Sequence, residues 1–203
     1  MTGFLEPAEL TPQVRRLFDD DLAGTGYVMN LTRLWAHDPA AMEGLFTLLG
    51  HAAESGGLDL RTRGVLVAAC ASAMGDSYCS LAWGSRLAEA AGARTAAGVL
   101  RGDDEGLTPG ERAMAGWARK VARDPNGTGP ADVQELRDAG LPDGQIFAIT
   151  LFVALRVAFS TVNDALGGHP DAELRTTAPP PVLAAVTYGR PIASRTPATA
   201  GEP

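Results

Sequence analysis

The chain has 203 residues, 45 % of them hydrophobic, enough to bury one sizeable core. With 24 acidic and 17 basic residues its formal net charge is −7, which argues against nucleic acid and anionic membrane surfaces as partners because both repel it. Two cysteines are too few for a disulfide framework, no basic-then-apolar leader opens the chain, and the longest apolar run, Ile146 to Leu155, is broken by Thr150 and followed by Arg156. No membrane association and a cytoplasmic location are the expectation.

Helix signals then follow one another, with almost no strand signal. Thr11-Pro12 opens QVRRLFDDDLA, with proline at the first helical position. Asp38-Pro39 repeats the signature before AAMEGLFTLLGHAAES. Leu60 to Met74, LRTRGVLVAACASAM, is broken by Gly75; Asp76 or Ser77 can cap SYCSLAWGSRLAEAA, which ends at Gly92. Thr108-Pro109 with Glu111 forms a capping box, Gly129-Pro130 opens ADVQELRDAG, and a long apolar segment runs from Gln145 to Leu166. Each is expected to present one apolar face to a bundle. From Thr176 on, APPP, GRP and TPATAGEP read as an arm that does not order itself alone, although VLAAVTYGR is apolar enough to dock on the body or on a neighbouring subunit. The expectation is one helical domain over 1–175 and a Pro/Gly-rich arm over 176–203.

Helical spacing places Asp76, Cys79, Trp83 and Arg86 on one stripe. A thiol in a first turn sits at the positive end of the helix dipole, which favours thiolate, whereas a nearby Asp76 opposes it. The plainer reading of Cys79 is a small buried hydrophobe, and Cys70, mid-helix in VLVAACASA, is plainer still. Arg156 interrupts an apolar face; it reaches either an anion near the thiol or, the plainer reading, the surface or a subunit interface. His37, His51 and His169 lack metal-ligand spacing, so no metal and no cofactor is expected. His51 is the only histidine placed to act as a replacement base.

The segment LDLRTRGVLVAACASAMGDSYCSLAWGSRLAEAAG resembles the core of the AhpD-like and carboxymuconolactone decarboxylase superfamily. GYVMNLTRLWAHDPAAME is similar to the N-terminal part of its peroxidase-related branch, and LTPGERAMAGWARKVARDP, DVQELRDAGLPDGQI and AFSTVNDALGGHPDAEL to its later helices, so the resemblance runs from about residue 14 to 175. It implies an all-α bundle, assembled as a trimer or hexamer. Peroxidase members of the family use a Glu, then Cys-x-x-Cys, then a His one turn later. Here Gly64 stands where the Glu would be, Asp76 where the first Cys would be, and Trp83 where the His would be; Cys79 matches the second Cys. Ser160-Thr161 replaces an Asn-Arg pair often seen before the ADALG segment.

Tryptophan cannot relay a proton, and glycine leaves a hole where a carboxylate stood. Exchanging Glu for Gly and His for Trp is therefore expected to turn a polar relay into an apolar pocket lined by Gly64, Asp76, Trp83, His51 and Arg156, with Cys79 as the reacting group. Three functions stay open on these residues: a diverged enzyme acting without a redox pair on a small, largely apolar molecule; a one-cysteine hydroperoxide reductase; and a non-catalytic binding subunit. The first two require that proton-handling groups be respectively absent from, or relocated to, the sulfur.

Overall fold

The computed structural model describes residues 3–194, and TPATAGEP lies outside them. Among the described residues every regular element is a helix. They are α1 (Pro12–Thr25), α2 (Asn30–Trp35), α3 (Pro39–Ser55), α4 (Leu60–Met74), α5 (Ser77–Ala91), α6 (Ala93–Arg101), α7 (Pro109–Arg123), α8 (Pro130–Asp138), α9 (Asp143–Ala165), α10 (Leu174–Thr177) and α11 (Pro180–Ala185). Thr11 and Asp38 accept first-turn N–H groups where the sequence placed them, Asp76 rather than Ser77 caps α5, and Thr108 and Glu111 close a reciprocal capping box; Asp59 caps α4 without having been read from the sequence.

Helix α4 is the hub. Residues 64–71 are all buried, so this helix is apolar all round rather than on one face, and α5, α6, α7 and α9 pack about it. Gly75 ends it in a left-handed conformation, φ 77°, and turns the chain directly into α5. Helix α9 packs against α3, α4 and α7. Its 23 residues are long and apolar enough by composition to cross a membrane, contrary to the expectation drawn from Ile146–Leu155 alone. Its inward face instead buries Ile149, Phe152 and Val153 in the core, and lower down Arg156, Ser160 and Asn163.

Helix α6 follows Gly92 without a recognised start signal, and α11 forms inside the segment read as an arm. Its first turn is Pro180-Pro181, compatible with the free N–H positions of a helix start. Val182 is fully buried against Gly84 and Leu100, so α11 belongs to the bundle. Beyond it the chain folds back over the start of α5. The Ser77 hydroxyl donates to Arg190 O at 2.7 Å, the Tyr188 hydroxyl to Ser80 Oγ at 3.0 Å, and Arg190 Nη2 to Asp164 O at 3.0 Å.

Gly189 makes this return possible. It has φ 72°, and a Cβ there would stand 2.4 Å from Gly75 O. Gly189→Ala is therefore expected to lower unfolding free energy by about 2 kcal/mol in urea denaturation. An unchanged midpoint would show that the segment does not clasp α5.

Candidate functional site

Cys79 lies in the first turn of α5, and the cap of that turn is what brings an acid to it. Asp76 Oδ1 accepts the Cys79 N–H at 2.9 Å. The same carboxylate is wholly buried, stands against the thiol, and leaves Oδ2 without an aligned hydrogen-bond partner. Across the helix pair, Arg156 of α9 donates from Nη2 to Cys79 Sγ at 3.3 Å. Ser160, one turn further along α9, brings a buried hydroxyl to the same sulfur. Carboxylate, guanidinium and hydroxyl thus enclose a thiol that is only 2 % exposed.

Burial is the largest influence on this thiol and pushes its pKa well above the ordinary cysteine range. Asp76 pushes it further, by its charge and as an acceptor for the thiol proton, while the Arg156 charge and the Ser160 hydroxyl pull the other way without prevailing. Cys79 therefore rests protonated despite the helix dipole. Cys70, also buried, is pushed up to about 12, chiefly by burial. Half-buried Asp164 is raised to about 6 by burial and then by the charge of Asp76, with Arg190 opposing.

The surrounding wall is aromatic. The Arg156 guanidinium carbon lies 5.4 Å from the Trp83 ring centre and 5.0 Å from that of Phe159. Phe159 stacks on Trp35 at 5.3 Å and meets Phe46 edge-on at 5.4 Å. Trp35 in turn donates Nε1–H to Asn163 Oδ1 at 2.9 Å.

Several expectations change. Arg156 is 4 % exposed and bonded to the sulfur, so it neither snorkels to the surface nor waits at an interface. The hole expected at Gly64 does not exist: a Cβ there would meet Leu87 Cβ at 3.1 Å and Cδ1 at 3.2 Å, because α5 has closed onto α4. His51 is exposed on α3 and supplies no base from the interior. A carboxylate does stand beside the thiol, that of Asp76, although position 64 is glycine, and Trp83 stacks on Arg156. Of the pair at 160–161, Ser160 faces the site, whereas exposed Thr161 bonds back to Val157 O. Sequence reasoning missed Ser160 and Phe159. The available signal was the stripe Arg156, Ser160 and Asn163, polar residues at helical spacing on an otherwise apolar helix. A separate cavity of about 390 Å³ lies under the returning segment, lined by Ser77, Leu81, Leu183, Tyr188 and Arg190 but not by Cys79.

No known family's sequence profile matches the chain, and no curated protein matches it. Solved structures do. An alkylhydroperoxidase AhpD-core, uncharacterized peroxidase-related protein from Ralstonia eutropha JMP134 superposes with a TM-score of 0.74 at 24 % identity, over 86 % of this chain and 95 % of that one. A peroxidase-related protein from Silicibacter sp. TM1040 gives 0.74 at 18 % identity, over 86 % and 95 %. The debrominase Bmp8, whose Cys-to-Ala variant is known in complex with 2,3,4-tribromopyrrole, gives 0.70 at 15 % identity, over 87 % and 96 %. The chain has the AhpD-like helical fold, as the sequence resemblance implied.

The electrostatics fix a sign. Asp76→Asn keeps the capping acceptor but removes the charge that opposes thiolate. Native-state alkylation of Cys79 by iodoacetamide, followed by peptide mass spectrometry, is expected to be slow in the wild type. It should rise about tenfold per pH unit between pH 7 and 9, because the group titrates above that window. Asp76→Asn should speed it several-fold at pH 8. Slower alkylation in this variant would mean that Asp76 does not face the sulfur.

Proposed function

We propose that the protein is a one-cysteine reductase of organic hydroperoxides, with Cys79 as nucleophile, Asp76 as base and Arg156 as the group that holds developing negative charge. One observation carries this reading. Two buried polar atoms on either side of the sulfur make no well-formed hydrogen bond: the acceptor Asp76 Oδ2, which has only the weak thiol S–H near it, and the donor Arg156 Nε. Such atoms are costly to leave unmet. A hydroperoxide offers an O–H donor for the first and an oxygen acceptor for the second while its O–O bond lies at the sulfur.

In the reaction, the thiol proton passes to Asp76 as Sγ attacks the terminal peroxide oxygen. The S–O bond forms, the O–O bond breaks, and its electron pair leaves on the alkoxide. The alkoxide takes the proton from Asp76 and departs as an alcohol. Sulfur is oxidised by two electrons to sulfenic acid and the peroxide is reduced by two. An external thiol condenses with the sulfenic acid, releasing water and leaving a mixed disulfide. A second thiol displaces it as a disulfide and restores Cys79. Asp76 ionises the thiol only when substrate is bound, so the protonated resting state protects the sulfur from unselective oxidation.

The AhpD-like fold, shared with peroxidase-related proteins and with a debrominase, supports an enzyme. A cofactor-free lyase or isomerase drew its appeal from an apolar pocket at Gly64, and Leu87 fills that space. A non-catalytic role leaves two buried, unpaired charges without a use.

Stopped-flow reduction of cumene hydroperoxide with dithiothreitol as external thiol tests the proposal. Wild-type oxidation should exceed that of free cysteine by about 100-fold or more, vanish in Cys79→Ser, and fall about 100-fold in Asp76→Asn although its thiol ionises more readily. A wild-type rate equal to that of free cysteine would end this reading.

A further inference from the structure

Arg156 and Arg63 both lie close enough to Arg86 to repel it, in a protein whose net charge is −7. Arg156 is buried and makes no ion pair with any carboxylate among the described residues; Asp76, on the other side of the sulfur, is not within ion-pairing distance of it. Arg86 lies exposed on the Cys79–Trp83–Arg86 stripe, its guanidinium carbon 4.9 Å from the Trp83 ring centre, so Trp83 carries two guanidinium groups. Arg63 of α4 stands close enough to repel Arg86, as does Arg156, and its Nε–H goes to a backbone carbonyl, Asp59 O, at 3.3 Å. Glu89 attracts Arg86 but forms no ion pair with it within 4.0 Å.

Like charges held together without a directly bonded counter-ion are unfavourable, and a buried guanidinium with an unmet Nε most of all. A protein with surplus acid has carboxylates to spare, yet among the described residues none is within pairing distance of these three groups. The Cys79 thiol is not the missing anion, because it rests protonated. What satisfies Arg156 Nε and the exposed Arg86 together is a molecule lying along Trp83, with a carboxylate at Arg86 and an oxygen acceptor at Arg156 beside the sulfur. Trp83 and Phe159, the rings that flank Arg156, are the aromatic neighbours of its apolar body.

We propose that the substrate is itself an anion, an aromatic or otherwise apolar molecule carrying a carboxylate. Arg86 and Arg63 hold the carboxylate at the exposed end of the stripe, and Arg156 meets the opposite end of the molecule beside the sulfur. This inference takes from the preceding reading only that Cys79 is the reacting group. Charge selects the substrate, and the aromatic wall accepts its apolar body.

Binding and turnover separate the two ideas. Isothermal calorimetry with 4-isopropylbenzoate, and with the neutral 4-isopropylbenzamide of the same shape, should show the carboxylate binding at least about tenfold more tightly. The preference should shrink at high salt, and Arg86→Gln, on the exposed end of the stripe, should weaken benzoate binding about tenfold. In turnover, the ratio of kcat/KM for a para-carboxylated cumene hydroperoxide to that for its methyl ester should exceed about ten in the wild type and fall several-fold in Arg86→Gln. Equal binding of benzoate and benzamide, or equal turnover of acid and ester, overturns the anionic substrate while leaving hydroperoxide reduction standing. Selective benzoate binding with no hydroperoxide turned over upholds the anion site and rejects the reductase reading.

Discussion

The Cys79 sulfur separates a buried carboxylate from a buried guanidinium that make no ion pair with each other. Direct pairing would satisfy both, and burying either charge alone is expensive. The fold prevents the collapse by fixing each from its own helix. Asp76 is tied to α5 as its cap, accepting the Cys79 N–H, and Arg156 is clamped between the Trp83 and Phe159 rings on the opposite side. The thiol bridges the gap, a weak donor toward one neighbour and a weak acceptor from the other. The resting site is closed and neutral at sulfur, with a carboxylate and a guanidinium held on either side of it.

The rest of the molecule serves this arrangement. The left-handed turn at Gly75 lets α5 begin immediately after α4, which sets Asp76 at the cap position. The packing of Leu87 onto Gly64 brings those two helices into close contact, so the space a longer side chain would occupy at position 64 is not available. The returning segment after α11 ties down Ser77 and Ser80, the residues flanking Cys79 in the first turn, through Arg190 and Tyr188. A chain end rich in proline and glycine thus becomes structural by fastening the turn that carries the thiol.

Most helices were legible because their starts are written locally. Thr11-Pro12, Asp38-Pro39 and Thr108-Pro109-x-Glu111 specify caps by chemistry that depends on a few neighbouring residues. Helices α2, α6, α10 and α11 were not legible, since α2, α6 and α10 have no side-chain cap and α11 relies on burial of Val182 against α5 and α6. The site divides the same way. Asp76 and Cys79 share one turn, and their proximity followed from helical spacing. Arg156 and Ser160 lie about 80 positions away, and only the packing of α9 brings them to the sulfur. Substitution pattern alone suggested that the acid had been lost, because the resemblance compares position with position, whereas a carboxylate can reach one sulfur from more than one place.

The charge balance carries the account into function. In the proposed mechanism, a thiol with an acid on one side and a cation on the other is ionised, attacks, and protonates its leaving group with no second cysteine or histidine beside it. Trapping the oxidised intermediate tests this most directly. After one equivalent of cumene hydroperoxide in the absence of external thiol, dimedone labelling followed by peptide mass spectrometry should place a single adduct on Cys79 and none on Cys70. An unlabelled Cys79, or an adduct on Cys70 instead, would contradict the account.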